Sequence, residues 1–591
     1  MSFAIQLLLF YVAIYFLISG LDDLSIDVRL VWHSVMRKLR RSQAPLPSAH
    51  EIRRHSQKRI AIMVPLWQES SVLRAMVETN LRQVEYQNFA VFLGVYPNDE
   101  GTVAVARALA AQYPNVHVAL CSRPGPTSKA DCLNHIYRKI EPIEALGSPR
   151  FDIVVLHDAE DVLHPASLAL VNWFADSYGM VQVPVLPFPT GIRDWVHGVY
   201  CDEFAEFLSR DMRLREHEGA FLPSNGVGTA IRREYLDTLR EAQNGILFEA
   251  DCLTEDYELG MKLASAGCRQ TLLPLTRKYG DLLATREYFP RTIATSSRQR
   301  SRWISGQCLQ SWERHGWPLD LKSCYWFWRD RKGLWANPLS LLALVLVALS
   351  GAASLAPEFL SLGKWLWLTG SIPAADSLYF ACTLLAGERL LVRMFLVSRI
   401  YGIPFALAAP LRMLLSTSIN ALATVSAFHR FTRARANRRR LSWVKTDHAF
   451  PKVLSPQAAV PSSEGALAAA AAAGGHFGDS AHRLESHGSS ELVIRPHWMS
   501  ASAAPSPAPA PQGLHPYRLE TGEWVLMVSP ELSLAERARL LGQSHARIVF
   551  PDQALVEWLS AAEGNAVFAE NGDVGGATDA KPKSRGHAAG A

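Results

Sequence analysis

The sequence predicts an α/β protein, an open and mostly parallel sheet carried between membrane-spanning helices, with a small α+β unit near the C-terminus. Three observations predict it. Charge-free apolar runs flank the middle of the chain, short β-branched runs alternate with helix-like stretches inside it, and Ala, Pro and Ser dominate after residue 453 before a strand-like pattern returns. Of 591 residues, 49% are hydrophobic and 19% charged, too apolar for a disordered chain. A net charge of +5 is too small for a dedicated nucleic-acid binder. The eight cysteines form no C-x-x-C pair, so neither a disulfide scaffold nor a thiol-ligated metal is expected.

Residues 1–22 are the first element. Phe3 to Ser19 carries no charge, and the run ends at Asp22. About 20 apolar residues suffice to cross a bilayer as a helix. No basic n-region or small-x-small site marks it as a cleaved signal. The basic stretch 23–58 follows, with Arg29, Arg37, Lys38, Arg40 and Arg41, and the positive-inside bias then puts the next domain in the cytoplasm. A second charge-free run, Pro338–Pro357, follows an aromatic and basic segment (316–333) that suits the headgroup region. Within 334–428 the apolar pieces are broken by Asp376, Glu388, Arg389, Arg393, Arg399 and Arg412. The basic segment 429–452 again reads as cytoplasmic, so the crossings between are even in number. Two crossings plus an interfacial helix around Pro404–Leu415 is the expectation, with four crossings the alternative.

Residues 59–315 form the soluble middle. Arg59–Pro65, Ala90–Tyr96, Val116–Leu120 and Asp152–His157 are near-continuous apolar runs, the pattern of parallel strands covered on both faces. Helix-like Ser71–Val84 and Thr102–Gln112 lie between them, which implies βαβ units. Ligands of such sheets bind beyond the carboxyl ends of the strands. There the chain places Glu69, then Asn98 and Asp99, then Lys129 and Asn134, then Asp158, Glu160 and Asp161. No G-x-G-x-x-G or P-loop accompanies them, so neither a dinucleotide cofactor nor a P-loop is indicated.

Two readings stand for each polar cluster. Asp158 and Glu160, one residue apart, suit a hard divalent cation whose shell a diphosphate completes; they equally suit a solvated loop capping a helix. Asp256, in Thr254-Glu255-Asp256, is either an acid favoured by a helix dipole or a general base. Arg298–Trp303 is either a membrane-surface patch or a diphosphate clamp with Trp303 as a sugar-stacking face. Ser224–Gly228 is a structural turn or an acceptor loop. His157 and His164 are read as a strand end and a helix start rather than as zinc ligands.

In order, V-P-x-x-x-E (Val64–Glu69), N-D (Asn98–Asp99), K-A-D-x-L-N (Lys129–Asn134), D-A-E-D-x-x-x-P (Asp158–Pro165), T-E-D (Thr254–Asp256) and Q-x-x-R-W (Gln299–Trp303) resemble the family 2 glycosyltransferases. The segments YPND, TREYFP (Thr285–Pro290), RDRKG (Arg329–Gly333) and WVKTDHAFP (Trp443–Pro451) are similar to the bacterial phage-adsorption protein B type, which extends the resemblance to about residue 451. The resemblance implies a GT-A fold (a Rossmann-like nucleotide-diphospho-sugar transferase domain), a nucleotide-diphosphate sugar as donor, a UDP-sugar foremost, and Mg²⁺ or Mn²⁺. By position, Glu69 and Asp99 would contact the nucleoside, with Lys129 and Asp158 also on the donor. Asp158 and Glu160 would hold the metal, and Asp256 would deprotonate the acceptor in an inverting transfer. Gln299, Arg300, Arg302 and Trp303 would bind the diphosphate and the acceptor end. Glu160 stands where many relatives have Asp, which leaves Asp161 as the other candidate ligand.

Beyond that, 453–515 reads as a flexible linker and 566–591 as a disordered tail. In 516–565, Glu523–Val528 and Ala546–Pro551 are strand-like, and Ser533–Glu536 opens a helix closed by Gly542. Some relatives carry a cyclic-dinucleotide module at this end, but its repeated Arg-Leu-Gly signature is absent from this sequence. The expectation is a multi-pass enzyme of the bacterial inner membrane, with its catalytic domain in the cytoplasm. It would add sugar to a lipid-linked or polysaccharide acceptor and work with an envelope export partner. The rivals are a single-sugar lipid glycosyltransferase and an inactive membrane scaffold or receptor.

Overall fold

The computed structural model describes residues 2–40, 46–145, 149–318, 320–355, 375–438, 450–451, 514–518 and 524–528. The first compact unit, Met1–Ala459, is built on β1 (Ile60–Pro65), β2 (Phe89–Val95), β3 (Val116–Leu120), β4 (Ile153–Leu156), β5 (Met180–Gln182), β6 (Val185–Pro187), β7 (Thr229–Arg232), β8 (Gln270–Leu272) and β9 (Thr285–Glu287). Seven of these form one sheet in the order β3-β2-β1-β4-β7-β5-β8. Only β7 runs against its neighbours; β6 and β9 make a separate parallel pair.

The apolar runs form strands because both faces of the sheet are covered. Ile60, Ile62 and Val64 enter one core with Leu73, Met76 and Val77. Ala61 and Met63 enter the opposite core with Ile136, Tyr137 and Leu236. Alternate residues therefore serve two hydrophobic layers, and no polar position interrupts the run. The chain leaves β1 toward β2 and β3 on one side, while β4 pairs on the other. That reversal opens a crevice past the carboxyl ends of β1 and β4.

The helical part departs from the expected boundaries. The N-terminal helix does not stop at residue 22 but runs unbroken over Ser2–Leu39. Its acids are neutralised in place: Asp22 and Asp23 pair with Arg329 and Lys332, and Asp27 with Arg210. Residues 23–39 of the stretch expected to be a linker are thus helix. The helices Gly333–Leu355, Ala375–Tyr401, Ile403–Ala406 and Ala409–Ala436 follow. No single interfacial helix spans Pro404–Leu415. Gly402, at φ +89°, breaks the chain, a four-residue turn follows, and Leu415 lies inside the last long helix. Among the described residues, Leu7–Leu39 and Ala409–Ala436 are long and apolar enough to cross a membrane.

The second unit, Val460–Ala591, contains an antiparallel hairpin of Leu514–Arg518 with Trp524–Val528. Its first strand begins inside the stretch read as linker. The expected Ser533–Gly542 helix, the Ala546–Pro551 strand and the 566–591 tail lie outside the described residues.

Candidate active site

A cleft opens at the β1/β4 reversal, the place where open α/β sheets bind their ligands. Pro65 ends β1 and Leu66, Trp67 and Glu69 follow it, Tyr96 follows β2, and Asp158–Glu160 follow β4. The acidic loop after β4 is fixed from beneath. Asp161 is fully buried; its Oδ2 lies 2.7 Å from His157 Nδ1 and accepts the Asp158 amide at 3.0 Å. Asn80 donates to the Asp161 carbonyl and accepts the Leu163 amide. A two-bond bridge between Val162 and Arg286 then ties the loop to β9 and brings Glu287 to the cleft beside Asp158 and Glu160.

Glu255 and Asp256 reach the same cleft from the first turn of the helix Glu255–Ser265, and Asp256 Oδ1 accepts the Tyr257 amide at 2.8 Å. Two glycines permit this. A Cβ on Gly226 would lie 2.6 Å from Asp256 Oδ2, and one on Gly306 2.4 Å from Thr254 Oγ1. Gly226 also sits at φ +76°. Ser224–Gly228 is therefore a turn whose glycine lies against the candidate base.

The cleft is electrostatically strained. Burial raises the Glu287 carboxyl well above its ordinary range, and repulsion from Asp161, Glu160 and Asp158 adds to it. Burial and Asp256 push Glu255 up to about 7. Burial also raises Asp256, while Lys129, the Tyr257 amide and Arg302 oppose the shift. The countercharge is Lys129, whose Nζ lies 2.6 and 2.8 Å from the two Asp158 oxygens. Burial works against its charge, yet Asp158, Glu255 and Asp256 outweigh that and hold the ammonium above its usual range.

Residues 57–306 match the family model described as glycosyltransferase like family 2. They are a family 2 glycosyltransferase domain. The chain is 35% identical over 474 residues to bacteriophage adsorption protein B of Escherichia coli (strain K12), and equally to bacteriophage N4 adsorption protein B of Escherichia coli O157:H7. The alignment covers 76% of this chain and 63% of each relative, so the chain spans less than two thirds of the curated relatives it matches. Among solved structures it is similar to a mannosyltransferase from Pyrobaculum calidifontis in complex with GDP-Man and Mn²⁺, at 19% identity and TM-score 0.42, over 71% of this chain and 99% of that one. A glucosyl-3-phosphoglycerate synthase from Mycobacterium tuberculosis, in complex with Mn²⁺, UDP-Glc and phosphoglyceric acid, matches at 17% identity and TM-score 0.21, over 33% and 64%.

The glycosyltransferase domain gathers most of the residues singled out from sequence. Glu69, Lys129, Asp158, Glu160, Asp256, Gln299, Arg302 and Trp303 all line the one cleft. Two do not. Arg300 turns away from it, stacks over Tyr200, pairs with Glu203 and donates to Asn420 at 2.8 Å. It ties the helix Ile293–Trp303 to the last long helix instead of facing a diphosphate. Asp99 caps the helix Glu100–Gln112 through the Thr102 amide and accepts the Gln68 amide. It shapes the loop that carries Glu69 and does not line the cleft. Asp161, the alternative ligand, commits its Oδ2 to His157 and the Asp158 amide, while its Oδ1 is buried without a hydrogen-bond partner. His164 contacts the Asp281 carbonyl and the Ala166 amide. Sequence reasoning missed Glu255, Glu287 and the aromatic pair Trp67–Tyr96 (centroids 5.4 Å apart), which also line the cleft. The TREYFP segment was the available signal for Glu287.

Among the described residues no three His, Cys, Asp or Glu side chains form a ready-made metal cage. The oxygen-only donors Asp158 and Glu160, crowded against Glu287, fit a partial shell for a hard cation completed by ligand oxygens.

Proposed function

We propose that this chain is a membrane-associated glycosyltransferase. It moves a sugar from a nucleotide-diphosphate donor to a hydroxyl of a lipid-linked or polysaccharide acceptor, with inversion. The observation that carries the proposal is the convergence in one cleft of Asp158, Glu160 and Glu287 with Asp256, Lys129 and Arg302. The nucleobase is assigned to the Trp67–Tyr96 side near Glu69. Asp158 and Glu160 would hold Mg²⁺ or Mn²⁺, which when bound stabilises negative charge on the departing diphosphate. Lys129 and Arg302 add fixed positive charge to the same cleft. Asp256 accepts the proton of the acceptor hydroxyl as its oxygen bonds to the anomeric carbon. The bond from that carbon to the diphosphate oxygen breaks, and the nucleoside diphosphate leaves with the electron pair. Trp303 offers a flat apolar face to a sugar ring, and its edge is held against Tyr200. The two candidate spans support a membrane location, and the basic flanks 29–59 and 429–445 support a cytoplasmic catalytic domain at the bacterial inner membrane.

The test is a donor screen with full-length protein in neutral detergent and Mn²⁺ or Mg²⁺, reading nucleotide-diphosphate release. At least one UDP- or GDP-sugar should turn over, and Asp256→Asn should lower that turnover about 10²- to 10⁴-fold while nucleotide binding persists. If no donor turns over and Asp256→Asn leaves the cell's surface glycan intact, the inactive scaffold is the correct reading.

A further inference from the structure

We propose that the groove between the basic end of the N-terminal helix and the helix Ala375–Tyr401 binds one anionic phospholipid by its phosphate, a site separate from the catalytic cleft. The inference rests on the chain being a membrane protein but not on its transferase activity. The groove is lined by five cations, Arg37, Lys38, Arg213, Arg277 and Arg399, and by no Asp or Glu. Glu216 answers Arg213. The other four make no ion pair among the described residues, and Arg37 Nε is buried without a hydrogen-bond acceptor. Three separate stretches, 37–38, 277 and 399, contribute these charges. Glu216 acts on Arg37 as well as on Arg213, but Lys38, Arg277 and Arg399 have no acid paired with them among the described residues, and a phosphate is the group whose oxygens match guanidinium and ammonium donors.

The rest of the groove selects a lipid over a free anion. Its walls are apolar, with Val31, Val35, Leu396 and Ile400 among the lining residues. Beside it, Val28, Val31, Trp32, Val35 and Leu39 form an exposed stripe at helical spacing, so the lipid-facing surface continues past Asp22 and Asp23 to the end of the helix. Leu391 and Phe395 are exposed on the neighbouring helix. An acyl chain can lie along this apolar wall while the headgroup meets the cations at its end. Basic pockets between membrane helices on the cytoplasmic side hold anionic headgroups in this way.

The experiment uses the full chain, stripped in neutral detergent and incubated with phosphatidylglycerol or phosphatidylcholine, with bound lipid counted by native mass spectrometry. One phosphatidylglycerol per chain should be retained in preference to phosphatidylcholine and should resist 50 mM inorganic phosphate. Arg37→Gln/Lys38→Gln/Arg277→Gln/Arg399→Gln should lower its retention at least tenfold, whereas Arg53→Gln/Arg54→Gln, outside the groove, should not. Val35→Glu, at an exposed position, places a carboxylate in the groove and should have the same effect if the quadruple variant does not fold. Equal retention of the two lipids, displacement by inorganic phosphate, or unchanged retention in the variants overturns the proposal. Bound lipid is read without donor or turnover, so this outcome and that of the donor screen are independent.

Discussion

Replacing Gly226 with Ala separates the position of the candidate base from the stability of the fold. The new Cβ would meet Asp256 Oδ2 at 2.6 Å, and an ordinary contact begins near 3.4 Å, so the carboxylate must retreat by about 0.8 Å. The atom in the way is the end of a side chain, so it moves cheaply and the fold survives. A displacement approaching 1 Å at a reacting group costs on the order of 10²-fold in rate. Gly226 is also at φ +76°, and a left-handed non-glycine residue costs about 1–2 kcal/mol in stability. Gly267→Ala is the matched control, because Gly267 is at φ +75° with open space around its Cβ position. Both variants should lose similar thermal stability. Only Gly226→Ala should lose about two orders of magnitude in kcat for nucleotide-diphosphate release, with nucleotide affinity unchanged. Equal kcat in the two variants would refute Asp256 as the base.

Three other outcomes are expected. A chelator should abolish turnover, Mn²⁺ or Mg²⁺ should restore it, and Asp158→Asn should lose about 10²-fold or more at saturating metal. Lys129→Met removes a charge that lowers both Glu255 and Asp256. Their carboxyls should then rise further, and the acid limb of the kcat–pH profile should move to higher pH; an unmoved limb would mean that Lys129 does not face the base. Arg300→Met removes the cation paired with Glu203 and leaves Arg393 as the other positive charge acting on it. Because Glu203 retains some solvent exposure, the loss should be about 2–3 kcal/mol, below the 3–5 of a fully buried pair. It should read as a lower unfolding temperature with nucleotide affinity within about twofold; a tenfold affinity loss at unchanged stability would restore Arg300 to the donor site.

What the sequence made legible follows from where the physics is local. β1 to β4 were readable because each is a nearly continuous apolar run, interrupted only by His117 in β3, and the observed strands match the runs to within a residue at each end. β5, β7 and β8 were not, because they are three or four residues long and contain Gln182, Thr229, Gln270 and Thr271. These polar side chains are satisfied internally: Gln182 accepts from Asn225 and Thr229 and donates to the Val183 and Val227 carbonyls. Glu287 joins the acid loop through the Val162–Arg286 bridge, a contact between segments more than 120 residues apart that no local pattern announces. Asp99 could not be assigned from sequence because a helix cap, which it makes here, and a ligand contact ask for the same residue type in the same place, just past a strand.

The correction at Arg300 changes how the two halves of the chain relate. Residues two apart on a helix point to nearly opposite sides, so Arg300 and Arg302 could not both serve one diphosphate once Ile293–Trp303 is helical. Arg302, with Gln299 and Trp303, faces the cleft. Arg300 faces the other way into a polar cluster in which Glu203 also accepts Ser416 Oγ at 2.5 Å and Asn420 Nδ2 at 3.0 Å, while Ser301 meets Ser426. Polar side chains on a span-length helix are costly unless they face protein; here Asn420 and Ser426 meet Arg300 and Ser301 on the helix that carries three cleft residues, and Ser416 meets Glu203 on the helix Trp195–Ser209. The sequence block Gln299–Trp303 is therefore a two-sided part, one face toward the cleft and one toward the helix Ala409–Ala436. Ala409–Ala436 thus contacts the helix that carries Trp303 and Arg302 directly, not through the sheet.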